Sequence, residues 1–174
     1  MPVPVTPEIE SRWCVVDGGP VPLRCWWSLP KSLRGDKVMT RRNSNQGGTR
    51  KEHQRAVLVL PEVFGVNAWV RSVADRFASM GVPALAMPLF ARTAPQLDLG
   101  YGEMQLAQGR EHKNATQADE LLADLQTAIA WLRRTLEAPN LEITVVGFCF
   151  GGHATWSAAT LPEVARSFAF YGAG

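Results

Sequence analysis

One stretch of this sequence carries a nucleophile in a setting that would expose it. Gly147-Phe-Cys149-Phe-Gly151-Gly152 follows the apolar run 143–146 and precedes a short helical segment reaching to about residue 160. Gly-x-Cys-x-Gly between a strand and a helix has the spacing of a nucleophile elbow, Gly-x-Ser-x-Gly, with cysteine in the serine position. The residue types suit the chemistry. The nucleophile sits on a strained turn, and side chains two residues before and after it would collide with the crossing strand and helix. The turn lifts the sulfur clear of the sheet and sets it at a helix N-terminus, where the dipole favours a thiolate. The N–H of Phe150 then points to where an oxyanion would form. The same residues admit blander readings. A structural cysteine in a glycine-rich turn is one, and the strand–turn–helix context argues against it. A dinucleotide loop is another, but Gly-x-x-x-Gly-Gly is not Gly-x-Gly-x-x-Gly. A redox role for Cys149 lacks a second cysteine at Cys-x-x-Cys spacing.

Such a turn needs a sheet to carry it. Residues 11–16 and 21–28 are β-like, and Asp17-Gly18-Gly19-Pro20 between them signals a hairpin, with Pro22 suggesting an edge position for the second strand. The run 56–60 is continuously apolar, as a strand buried on both faces is; 82–88 and 143–146 read as a second and a third buried strand, and 167–171 as a fourth strand. After the first run comes Pro61-Glu62-Val63-Phe64-Gly65-Val66-Asn67, a turn whose Asn67 is placed to cap a helix. Trp69, Val70, Val73, Phe77 and Met80 give that helix its apolar spacing, and Gly81 stops it. Residues 89–113 look irregular. A helix over about 115–136 has the stripe Ala118, Leu121, Leu122, Leu125, Ile129, Leu132 and Leu136, and Pro139-Asn140 ends it. Alternating strands and helices predict an α/β domain with a mostly parallel sheet covered on both faces and an antiparallel edge hairpin at its N-terminus.

Gly147-Phe-Cys149-Phe-Gly151-Gly152, together with Pro61-Glu62-Val63-Phe64-Gly65-Val66-Asn67, Pro88-Leu-Phe-Ala-Arg92 and Ser167-Phe-Ala-Phe-Tyr-Gly172, resembles the dienelactone hydrolase family (carboxymethylenebutenolidase-like enzymes). The resemblance covers about residues 11–174 apart from 31–55. It implies an α/β-hydrolase three-layer sandwich and the cleavage of a small lactone or ester. Cys149 would be the nucleophile, forming a thioester acyl-enzyme, and Glu62 would take part in activating it. Val63 and Phe150 would supply the two oxyanion N–H groups, and Arg92 would meet a substrate carboxylate. A soft thiolate, two fixed donors and a planar guanidinium fit those roles. No cofactor or metal is implied.

Composition bounds the rest. The chain has 174 residues, 46% hydrophobic and 20% charged, which excludes a disordered chain, collagen and a coiled coil and predicts a single domain over 1–174. The N-terminus has no basic region followed by an apolar core, and no run approaches the ~20 apolar residues of a membrane span, so the expected location is the cytoplasm. Three cysteines are too few for a disulfide framework. Residues 31–55 hold 8 basic and 2 acidic side chains and almost no large apolar residue, and read as a flexible basic insertion. Without interleaved aromatics or a base-reading motif, the insertion points to solvent, not to nucleic acid or membrane.

The histidines are awkwardly placed. In this fold the triad runs nucleophile, acid, histidine along the chain. Only 25 residues follow Cys149, and a βαβ unit alone takes about 30. His153 lies too near the nucleophile on its own helix, His53 lies in the basic insertion, and His112 lies in the irregular segment. The expectation is a domain incomplete at its C-terminus, a fragment lacking the triad Asp and His and turning over little by itself. The alternative is a non-catalytic remnant that binds a ligand or partner.

Overall fold

The computed structural model describes residues 8–33 and 54–172. Six strands form one sheet: β1 (Ile9–Val16), β2 (Leu23–Pro30), β3 (Arg55–Leu60), β4 (Ala84–Ala86), β5 (Glu142–Phe148) and β6 (Val164–Phe170). The spatial order is β1-β2-β4-β3-β5-β6. β4, β3, β5 and β6 run parallel to one another, while β2 is antiparallel to both β1 and β4. The hairpin therefore lies at one edge, but β1 is the edge strand and β2 is interior. Pro22 sits just before β2, where its missing N–H costs the ladder nothing. Most of the basic insertion read at 31–55 lies outside the described residues. Its two ends belong to regular structure, with a single 3-10 turn at Lys31–Leu33 and the start of β3 at Arg55.

The described residues hold four helices: α1 (Ala68–Ser79), α2 (Glu103–Ala115), α3 (Ala118–Thr135) and α4 (Phe150–Ala158). α1 starts where the sequence places it, because the Asn67 side chain accepts a hydrogen bond from the Val70 N–H at 3.1 Å. It buries Val70, Ala74 and Ala78, while Trp69 and Met80 at its ends stay exposed. The small residues let it lie close over Val57, Val59, Ala84 and Ala86 on one face of the sheet. α3 buries Leu121, Leu125, Ile129 and Leu132, the expected stripe, on the opposite face. There it packs with α4 over Leu58, Leu85, Ile143 and Val145.

Two side-chain networks tie helices to strands. Asp75 of α1 accepts three hydrogen bonds on a single oxygen, from Ser11 Oγ at 2.6 Å, Ser28 Oγ at 2.6 Å and Trp26 Nε1 at 2.9 Å, which fixes α1 to β1 and β2. Asp124 of α3, almost wholly buried, takes both arms of the Arg92 guanidinium at 2.6 and 3.2 Å.

Two sequence expectations are corrected here. The segment 89–113 is not irregular throughout, because Glu103–Ala115 is α2. Only Gly109 of that helix is buried, so it has no apolar stripe to reveal it. The strand read over 82–88 is regular only at Ala84–Ala86. No helix among the described residues is long and apolar enough to cross a membrane.

Candidate active site

Register brings the two motifs together. Leu60, the last residue of β3, lies opposite Gly147 of β5. Glu62 and Cys149 each follow by two residues, so they leave adjacent parallel strands, roughly 5 Å apart, at the same C-terminal edge of the sheet. This is the edge where open α/β folds bind ligands.

Cys149 joins β5 to α4 with φ 52° and ψ −117°. A side chain rarely adopts positive φ, and here a strained backbone marks the turn the sequence motif calls for. The flanking glycines have visible reasons. A Cβ on Gly147 would strike the Gly151 carbonyl and Thr155 Oγ1, and a Cβ on Gly151 would strike the carbonyls of Leu60 and Pro61. The second contact also shows that the start of α4 abuts the chain just before Glu62. Cys149 is half-buried. The other two thiols are poor nucleophiles. Burial pushes Cys14 up to about 11 against the pull of Arg12. Burial pushes the enclosed Cys25 well up, with Cys14 and Asp124 adding to it.

The candidate oxyanion donors lie on either side. Phe150 is the first residue of α4, where an N–H has no intrahelical partner. Its ring stacks on Phe90 at 5.8 Å. Val63 opens the turn after Glu62. The backbone hydrogen bonds of that turn run from Gly65 to Glu62 and from Asn67 to Gly65, and none uses the Val63 N–H.

Glu62 has partners that sequence reasoning missed. Its carboxylate accepts from Tyr101 Oη at 2.8 Å and from Tyr171 Oη at 3.3 Å. Tyr171 follows β6 with φ 37°, a second strained position beside the elbow. A Cβ on Gly152 of α4 would meet Phe170 O and the Gly172 backbone, so this strand end packs on the elbow helix. Burial pushes the Tyr171 phenol up to about 12, and the charges of Glu62 and Cys149 add to the shift. Burial also raises Tyr101, with Glu62 adding and Asn67 opposing. The sequence signal was faint: Tyr171 lay inside a quoted motif, and Tyr101 lay in a segment read as irregular.

Arg92 is engaged elsewhere. Besides Asp124, its Nε is 3.3 Å from Glu120. Burial pushes the Asp124 carboxyl up in spite of the guanidinium, so desolvation outweighs the pairing there. The structure thus gives the guanidinium expected at a substrate carboxylate to two acids of the chain itself. The rings of the two described histidines have other partners. His112, on α2 and not in a loop, meets Thr93 Oγ1 at 3.1 Å. The His153 ring stacks on Phe150, while its backbone N–H donates to the Cys149 carbonyl. His53 lies outside the described residues. Among those residues no group of three or more acid, cysteine or histidine side chains could hold a metal ion.

Comparison with known proteins bears on this geometry. The family model of the dienelactone hydrolase family matches residues 46–174. A carboxymethylenebutenolidase-like protein of Synechocystis sp. is 38% identical over 118 residues, 68% of this chain and 48% of that protein. The carboxymethylenebutenolidase of Pseudomonas putida is 30% identical over 129 residues, 74% of this chain and 54% of the enzyme. A crystal structure of a dienelactone hydrolase-like protein of Klebsiella pneumoniae superposes with a TM-score of 0.69 at 25% identity, over 95% of this chain and 60% of that one. The chain spans about half the length of the curated relatives it matches.

Proposed function

The chain belongs to the dienelactone hydrolase family, and on that premise we propose that it serves the hydrolysis of a small lactone or ester with Cys149 as the attacking group. The single observation that carries this reading is the strained Cys149 turn at the N-terminus of α4, level with Glu62 at the C-terminal edge of the sheet. The Cys149 sulfur attacks the carbonyl carbon, forming the C–S bond while the carbonyl electron pair moves onto oxygen. The N–H groups of Phe150 and Val63 are the donors assigned to that oxyanion. Glu62 takes up the thiol proton. When the oxyanion collapses, the ester C–O bond breaks, and the departing oxygen takes back the proton held by Glu62 to become an alcohol. Water then hydrolyses the thioester to the acid and restores the thiol.

The second half of this cycle needs a base for the attacking water. Neither described histidine ring hydrogen-bonds to Cys149 or Glu62. The 174-residue chain is therefore proposed to acylate more readily than it turns over, since a positioned base typically contributes ~10²–10⁴-fold. The test is incubation with p-nitrophenyl acetate and intact-mass spectrometry. One acetyl group on Cys149, released slowly, is the expected result, with no adduct in Cys149→Ala. Acylation spread over lysines, or unchanged in Cys149→Ala, overturns the reading.

A further inference from the structure

Both tyrosines of the chain, Tyr101 and Tyr171, donate to one carboxylate. They arrive from opposite directions. Tyr101 follows β4 by way of residues 97–99, which are laced to the Glu62 turn: the Val66 N–H donates to Leu97 O, the Leu99 N–H to Phe64 O, and Asn67 Nδ2 to Leu99 O. Its ring also packs edge-on against Phe64, with centroids 4.7 Å apart. Tyr171 comes from the end of β6, the strand beside the nucleophile strand. The two phenols occupy different oxygens, Oε2 and Oε1.

We propose that Tyr101 and Tyr171 are positioning residues that clamp the Glu62 carboxylate in one orientation toward the Cys149 elbow. A glutamate on a turn has three rotatable side-chain bonds, and one donor leaves it free to swing about that contact. Two donors on separate oxygens, carried by separate segments of the chain, remove that freedom. The left-handed backbone of Tyr171 fits this account, since strain at a non-glycine residue persists where the surroundings hold it. The proposal rests on Glu62 serving Cys149, as set out above, and two readouts separate the clamp from that role.

The first readout needs no catalysis. With two tyrosines in the chain, absorbance at 295 nm reports their ionisation. Near pH 10, where an ordinary tyrosine is about half ionised, the wild type should show little tyrosinate. Glu62→Gln, which removes the charge facing both phenols, should raise it about twofold. No difference between the two proteins overturns the clamp. The second readout is the rate at which iodoacetamide modifies Cys149 near pH 8, followed on the Cys149 peptide. The double variant Tyr101→Phe/Tyr171→Phe should slow the reaction at least about threefold, in the same direction as Glu62→Gln, and each single variant should fall between. Phe keeps both aromatic rings, so the fold should hold, which circular dichroism verifies. If Glu62→Gln slows alkylation and the double Phe variant does not, the positioning role is wrong. If the tyrosinate signal responds but Glu62→Gln leaves alkylation unchanged or faster, the clamp exists without serving the thiol. In that case both the positioning role and the part given to Glu62 in catalysis fall.

Discussion

At the scale of single residues, what matters is which charges already have partners. Arg92 holds Asp124, whose side chain is 2% exposed, and also reaches Glu120. Removing one member of such a pair leaves the other charge buried and unpaired. Arg92→Ala is therefore expected to lower stability by about 2–3 kcal/mol in urea unfolding. A contact to a substrate carboxylate would instead raise KM for acidic esters and leave unfolding untouched. Tyr171 makes a prediction in pH. Its phenol stays protonated in the folded chain up to about 12, through burial and then the Glu62 charge, while in the unfolded chain it ionises near the ordinary tyrosine value. What the phenol contributes to stability is complete below the unfolded value and fades as pH rises through the folded one. Unfolding midpoints measured from pH 9 to 12 should fall more steeply for the wild type than for Tyr171→Phe. Parallel slopes would contradict this assignment.

Elements are held by fewer ties than their number suggests. α1 rests on small apolar residues, and its orientation depends on Asp75 collecting Ser11, Trp26 and Ser28 from two strands. Ser28 is fully buried, so Asp75→Ala would strand a hydroxyl and an indole N–H. The expected cost is about 2–3 kcal/mol in chemical denaturation. Asp75→Asn, which keeps an acceptor oxygen, should recover part of it. The elbow is less forgiving. Gly147→Ala drives a methyl into the Gly151 carbonyl and Thr155, and both belong to the helix that follows Cys149. α2 is the opposite case, a polar helix with one buried residue whose place is set by the chain on either side.

At the scale of the molecule, the sheet is unevenly covered. α1 lies over β2, β3 and β4, while Phe168 and Phe170 on β6 are about half exposed and Trp69 is 39% exposed. Phe148 meets Trp69 edge-on at 4.8 Å and stacks on Phe170 at 5.3 Å, so the aromatics form one continuous band beside the elbow. Among the described residues β6 pairs with β5 alone. An apolar band next to an unpaired strand edge invites association. The 174-residue chain should bind a hydrophobic dye and sediment as species larger than 19.1 kDa. Phe168→Lys should reduce both effects. A monodisperse monomer that binds no dye would show the band to be inert.

The elements that the sequence made legible are those whose signals are local. An unbroken apolar run marks β3, a mostly apolar one marks β5, and Asn67 before a helical repeat marks the start of α1. The stripe from Leu121 to Leu132 marks α3, and glycines two residues either side of Cys149 mark a turn that no other residue fits. Each follows from neighbours within a few positions, where backbone sterics and helical or strand periodicity act directly. α2 stayed hidden because a helix with no buried stripe leaves no period to read. The interior place of β2 stayed hidden because Pro22 lies one residue outside the strand it appeared to weaken. The partners of Glu62 and Arg92 were out of reach for a different reason. Tyr101 lies 39 positions and Tyr171 109 positions from Glu62, and Asp124 lies 32 from Arg92. Only the folded sheet brings these phenols, acids and guanidinium groups together, because pairing energies fall off over a few ångströms while sequence fixes no distance between remote segments.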